Sequence, residues 1–474
     1  MNFSLNKKLF WSYSTEIVIG ILQPLLLIVL SNRVDVQVFG VVSMLIIILT
    51  LSKVVLDASS KYLITVSNDR LNSTTISAIC VNLMFAIIIF LGLIFFRGII
   101  LDYFEIVIPT NLFIVFYSQL FLFAIGMPIQ MYFTRDLKLK ELFFYRIIFS
   151  LGPQLISISL LFLVFSPIKA LILGYTIGAI ISTGTLFLKF IPVLKISHLE
   201  NLFVDKSYRN FTLLNFLDIA GIAMFSAFDI LLVGKYLGTE SAGIYKLSNS
   251  LSVLLTSFLI SPIIGVLFPL FTRNKRENTS SIRLFLDIWK LIFLINLLVF
   301  TILFLLNDLP YLIVGFNLSK WKFLNQYVIL IGAFNLLGWL AQPFSEFYKS
   351  TNKSRLNVVF MYSQFLLLIP LYRFGVEFGM YGLMISKILF ALLTIIVHFM
   401  ILGSMVLLPM KNIIIFLVKY ILLSLILCLL FVVFEDYVNR LFYVSLTLLV
   451  SVYFVLKWDK YYIKRLYILA FKSK

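Results

Sequence analysis

The sequence predicts an all-α polytopic membrane protein, and three observations carry that expectation. Of its 474 residues, 61% are hydrophobic and only 13% charged, with a mean hydropathy of +1.06, whereas soluble domains carry about 25% charged residues. Apolar runs of about 20 residues recur along the whole chain, each long enough to cross a hydrocarbon core of about 30 Å. The runs are continuous rather than alternating. That selects helices over the closed barrel, the other architecture that satisfies its backbone groups in lipid.

About fourteen spans follow from the hydropathy. The first six are expected at about 10–30, 38–58, 76–96, 106–131, 142–165 and 168–189. Six more are expected at about 211–233, 243–271, 284–306, 323–346, 356–376 and 379–403, and two at about 412–434 and 441–456. The first run follows Lys7 and Lys8; it is too long for a signal h-region and lacks a small-residue cleavage site, so it reads as an uncleaved span.

The basic residues test the order of the spans. With a cytoplasmic N-terminus, most of the 39 lysines and arginines fall on the cytoplasmic side. Arg135, Lys138 and Lys140 follow the fourth span, Arg273, Lys275 and Arg276 the eighth, and the tail from Lys457 to Lys474 the last. Arg33, Arg97 and Arg373 are among the few on the opposite side. An alternating bias of this kind is the positive-inside rule, and it puts both termini in the cytoplasm.

The same distribution accounts for the net charge of +18. No basic domain stands outside the membrane, so anionic lipid headgroups are the expected partners and nucleic acid is not. Cys80 and Cys428 both lie in apolar runs, and His198 and His398 are far apart. Neither a disulfide nor a metal site is expected. No loop exceeds about 20 residues, and no paired carboxylates, nucleophile–base pair or phosphate cradle is visible. The chain therefore reads as a non-enzyme without a cofactor, and a membrane polymerase is the weaker alternative.

An internal repeat is expected. Aligning Gly243 with Gly40 lays "LLVGKYLGTESAGIYKLSNSL" over "IVLSNRVDVQVFGVVSMLI", a shift of about 203 residues. "PIQMYFTRDLKLK" from Pro128 and "PFSEFYKSTNKSR" from Pro343 form a second match, at the exit of each half's fourth span. The implied organisation is an N-terminal lobe over 1–190, a cytoplasmic connecting loop over 191–210, a C-terminal lobe over 211–403, and two appended spans with a basic tail over 404–474.

Several of these residues resemble a known family. Trp11-Ser12, Phe39-Gly40 and Leu56-Asp57-Ala58-Ser59, with "YFTRDLKLKELFFYRI", "DILLVGKYLG", "ISPIIGVLFPLFTR" and "GMYGLMISKIL", are similar to Wzx-type polysaccharide flippases. These belong to the multidrug/oligosaccharidyl-lipid/polysaccharide exporter superfamily. The resemblance implies two six-helix lobes facing across a central cavity that opens alternately to each side of the bacterial cytoplasmic membrane. It implies an O-antigen or capsule repeat unit on undecaprenyl pyrophosphate as cargo, with a proton or sodium gradient as the candidate for coupling. A polysaccharide polymerase and chain-length proteins are expected partners of a monomeric chain. A drug or organic-cation antiporter, or a flippase for a peptidoglycan or teichoic-acid precursor, is the alternative.

Charged residues inside spans cost about 2.5–3.5 kcal/mol each at the bilayer centre, so they face a cavity or a partner. Lys53 shares a polar stripe with Ser43, Thr50 and Asp57; Lys246 shares one with Asn249, Ser250 and Ser257. With Lys387, Lys290 and Arg146 they form a candidate cationic cavity, suited to the many acceptor oxygens of a pyrophosphate. Pairing of Lys53 with Asp57 along one helix is the alternative, as is snorkelling of Lys290 and Arg146. Glu16 and Asp218, nearly equivalent under the repeat shift, are candidates for ion coupling with Asp57, a packing hydrogen bond being the other reading.

Overall fold

The computed structural model describes residues 2–60, 71–135, 138–163, 165–193, 206–276, 281–305, 324–351, 354–405 and 410–434. Every regular element among them is helical. The first are α1 (Asn2–Arg33), α2 (Val36–Ser60), α3 (Leu71–Phe95), α4 (Arg97–Tyr103), α5 (Thr110–Tyr117), α6 (Gln119–Arg135), α7 (Leu139–Phe162) and α8 (Pro167–Phe190). Then come α9 (Lys206–Arg276), α10 (Ser281–Leu305), α11 (Leu324–Ser350), α12 (Ser354–Glu377), α13 (Gly379–Met405) and α14 (Met410–Phe434).

Among the described residues, ten stretches are long and apolar enough to cross a membrane. The chain is a multi-pass membrane protein. A helix underlies each of the first thirteen expected spans; the fourteenth and the basic tail lie outside the described residues, as does most of 191–210. Large apolar side chains on α3 and α13, such as Ile88, Leu91, Ile385 and Leu393, stay exposed. In water such rows would be costly, whereas in a bilayer the acyl chains cover them.

Three features depart from a simple count of apolar runs. The fourth span is two helices, α5 starting after Pro109 and α6 after Ser118. Between them the Phe121 N–H closes a tight bond to the Ser118 carbonyl at 3.1 Å. A short helix, α4, precedes them in what reads as loop. The seventh and eighth spans are both within α9, separated by one non-helical residue, Gly238, at φ 86° and ψ 170°. That conformation is essentially restricted to glycine, because a Cβ would clash with the backbone.

The chain divides into two compact units, residues 1–247 with 316–322, and 248–315 with 323–474. In the first, α7 packs along α8 and α1, and α6 packs against α2, α3 and α8. Its core gathers Ile129, Tyr132, Phe133, Leu142, Tyr145 and Phe190. In the second, α11 packs on α10, α12 and α13, and α14 packs on α10. That core is built on Trp289, Phe285, Phe344, Phe399 and Phe416. The Trp289 indole N–H donates to the Leu340 carbonyl at 3.0 Å, so the buried ring keeps its polar atom satisfied.

Candidate functional site

Of the candidate lysines, Lys53, Lys290 and Lys387 meet aromatic faces. Lys53, half-buried on α2, holds its Nζ 4.2 Å from the Phe123 ring centre on α6 and 5.9 Å from that of Phe149 on α7. Asp57, one turn further along α2, is its electrostatic neighbour. Arg146, also half-buried, stands one turn from Phe149 on α7. The Ser43 and Thr50 hydroxyls donate back to the Phe39 and Ile46 carbonyls, at 2.7 and 2.8 Å. The polar stripe around Lys53 is therefore partly spent on its own helix.

Lys246 has a different neighbour. The electrostatic partner of this α9 lysine is Asp229, buried on the segment of α9 before Gly238. The Asp229 carboxylate accepts a hydrogen bond from the Tyr245 hydroxyl and another from the Ile230 N–H, at 2.8 Å. Asp229 and Lys246 stand nearly equidistant from Gly238, so the break there brings Tyr245 and Lys246 back beside Asp229. Sequence reading missed Asp229. Its nearly mirrored spacing to Lys246 about a glycine is the signal that points to it.

In the second unit, Lys387 on α13 is almost fully buried, with Nζ 4.0 Å from the Phe334 ring centre on α11. The neighbouring Asn335 carboxamide donates to Asn249 Oδ1 at 3.1 Å and to Ser252 Oγ at 2.8 Å, both on α9. Lys290 on α10 lies 5.1 Å from the Phe416 ring centre on α14. An ammonium over a ring face gains about 0.5–2 kcal/mol. Glu16 and Asp218 lie on described helices, but their side chains are outside the described residues.

At the end of the first unit where α1 passes into α2, α2 meets α9 backbone to backbone. A Cβ built on Gly40 would run into the Thr239 carbonyl and stand 3.0 Å from the Gly243 nitrogen. One built on Gly243 would run into the Val36 carbonyl and stand 3.0 Å from the Gly40 nitrogen. The contact is reciprocal, residue for residue.

Residues 29–325, more than half of the chain, match the family described as polysaccharide biosynthesis protein. The chain belongs to that family. A relative within biosynthesis of the same kind is the teichuronic acid biosynthesis protein TuaB of Bacillus subtilis (strain 168), 36% identical over 69 residues. That match spans 14% of this chain and 14% of TuaB. The fold is shared with the lipid II flippase MurJ in an inward closed conformation, at a TM-score of 0.71 and 15% identity over 97% of this chain and 99% of MurJ. It is shared also with an inward-facing multidrug resistance MATE family transporter of the MOP superfamily, at a TM-score of 0.65 and 9% identity over 83% and 98%. The family member thus has the fold of MOP-superfamily transporters.

Proposed function

We propose that this protein is a flippase that carries an undecaprenyl-pyrophosphate-linked oligosaccharide repeat unit from the cytoplasmic to the outer leaflet of the bacterial cytoplasmic membrane by alternating access. The observation that carries the reading is membership of a polysaccharide biosynthesis family in a fold shared with a lipid II flippase. A lipid-linked glycan is the cargo that would join a flippase fold to polysaccharide biosynthesis.

The interior cations suit that cargo. Lys53, Lys246 and Lys387 are the first candidates for the pyrophosphate, and Lys290 and Arg146 the second. Ring faces at Lys53 and Lys387 stabilise a positive charge within the helix bundle. Lys246 already faces Asp229, so cargo there would have to compete with a carboxylate. Glu16, Asp218 and Asp57 remain the candidates for proton or sodium coupling.

The Gly40–Gly243 contact supports the two-lobe reading. The shift that carries Gly40 to Gly243 also carries Val36 to Thr239, and each glycine approaches the carbonyl of the other's equivalent. Such exchange of partners is the mark of a contact on a two-fold axis. In this reading, spans 2 and 8 touch at their outer ends across the pseudo-symmetry axis of two lobes.

Deletion of the gene in its native host tests the function. The expected result is loss of surface polysaccharide, with lipid-linked repeat units accumulating at the cytoplasmic face. Unchanged surface polysaccharide overturns the reading. A drug antiporter, the reading favoured by the MATE-like fold, instead predicts altered sensitivity to organic cations and normal polysaccharide.

A further inference from the structure

We propose that an amide cluster midway along α11 forms a second subsite, which recognises the sugar portion of the cargo rather than its pyrophosphate. The inference rests on the flippase reading and deepens it.

Three successive residues of α11 are each engaged by a polar side chain from a different helix. Lys387 of α13 lies over the Phe334 ring, Asn249 and Ser252 of α9 accept from Asn335, and Asn296 of α10 donates to the Leu336 carbonyl at 2.9 Å. All of them belong to the second unit. At 1.5 Å per residue, Asn335 stands about 16 Å from the start of α11, and Asn249 about 16 Å beyond Gly238. Both depths are close to half of a hydrocarbon core of about 30 Å. Polar groups at that depth are costly, and in transporters they mark the path of the cargo.

The hydrogen-bond inventory is incomplete in an informative way. A carboxamide offers two N–H donors and an oxygen acceptor. Asn335 spends its donors on Asn249 and Ser252, while its own oxygen and the Asn249 NH2 have no hydrogen-bond partner among the described residues. Exchanging O and N in both amides reverses the direction of the bond and still leaves one acceptor and one donor group open. Both residues are only half-buried, so the open groups are reachable. A third polar atom, Asn296 Oδ1, is buried and also lacks a hydrogen-bond partner among the described residues.

An open donor beside an open acceptor selects among the parts of the cargo. A pyrophosphate supplies acceptors alone, and a polyprenyl chain supplies neither. Sugar hydroxyls and N-acetyl groups supply both. The lysine therefore suits the charged linkage, and the paired amides suit the glycan.

The test is equilibrium binding of two probes to the purified full-length protein: undecaprenyl pyrophosphate, and the same lipid carrying an N-acetylated disaccharide. Wild type is expected to bind the disaccharide-bearing lipid about tenfold more tightly, the worth of one or two net hydrogen bonds. Asn249→Leu and Asn335→Leu are expected to remove that preference while binding of the bare lipid persists, which also reports an intact fold. Should the leucine variants not fold, Asn249→Ser, which withdraws the NH2 group with little change in polarity, is expected to lose the same preference. Equal wild-type affinity for the two lipids, or a preference that survives the substitutions, overturns the proposal. Wild type that binds neither lipid refutes the flippase reading itself, and the subsite falls with it.

Discussion

Gly40→Ala forces a methyl group into the place where α2 meets α9. The added carbon would run into the Thr239 carbonyl and stand 3.0 Å from the Gly243 nitrogen. Both atoms are backbone, so neither can swing away as a flexible side chain does. Overpacking of this kind costs about 1–3 kcal/mol. Alanine in a helix interior returns about 0.5–1 kcal/mol over glycine, because the unfolded chain loses less entropy. Gly92→Ala isolates that second contribution, since a Cβ at Gly92 on α3 meets nothing within 4 Å. Unfolding of the two variants in the same detergent should therefore separate them by about 1–3 kcal/mol, with Gly40→Ala the less stable. Gly243→Ala is expected to match Gly40→Ala, and the double variant to cost less than the sum, because both act at one contact. A Gly40→Ala protein as stable as Gly92→Ala would refute the close approach.

Lys53→Met and Lys387→Met remove a charge while keeping the stem that packs against Phe123 or Phe334; export of polysaccharide is expected to fall by about tenfold or more with membrane insertion intact, a loss of at least about 1.4 kcal/mol in one charge-assisted contact. Quantifying surface polysaccharide and protein level in complemented deletion strains checks this. Tyr245→Phe leaves the Asp229 carboxylate short of one donor in a buried setting, and a loss of about 1–3 kcal/mol is expected by detergent unfolding. Asn82→Leu is expected to cost a similar amount, about 1–3 kcal/mol, because fully buried Asn82 accepts from the Ser59 hydroxyl and donates to the Leu56 carbonyl and Ser60 Oγ, at 3.2 and 3.1 Å.

The helical architecture was legible because burial in lipid is decided by run length. The span expected at about 38–58 is α2, Val36–Ser60. What escaped the pattern depends on contacts between distant residues. Arg97–Tyr103 is too short and too polar to register as an apolar run, yet it forms α4, and the Tyr103 carbonyl accepts from Lys235 Nζ at 2.7 Å. Asp229 is a lone acid in an apolar stretch until the chain turns at Gly238 and brings Tyr245 to it. Asn335 has no polar neighbour in sequence within its helix turn, and its partners Asn249 and Ser252 come from another helix. Hydropathy reports depth in the membrane but not which side chains meet there. The positions of Lys53 and Lys387 were visible, whereas the rings beneath them were not.

The most direct measurement is translocation by the purified protein. Vesicles containing it would receive undecaprenyl pyrophosphate carrying a labelled oligosaccharide, confined at first to one leaflet. Exposure of the sugar to a membrane-impermeant glycosidase would then be followed with and without proton or sodium gradients. A protein-dependent transfer of the labelled sugar to the opposite leaflet, abolished in the combined Lys53→Met and Lys387→Met variant, is the predicted result. Transfer no faster than in protein-free vesicles under every gradient would contradict the account.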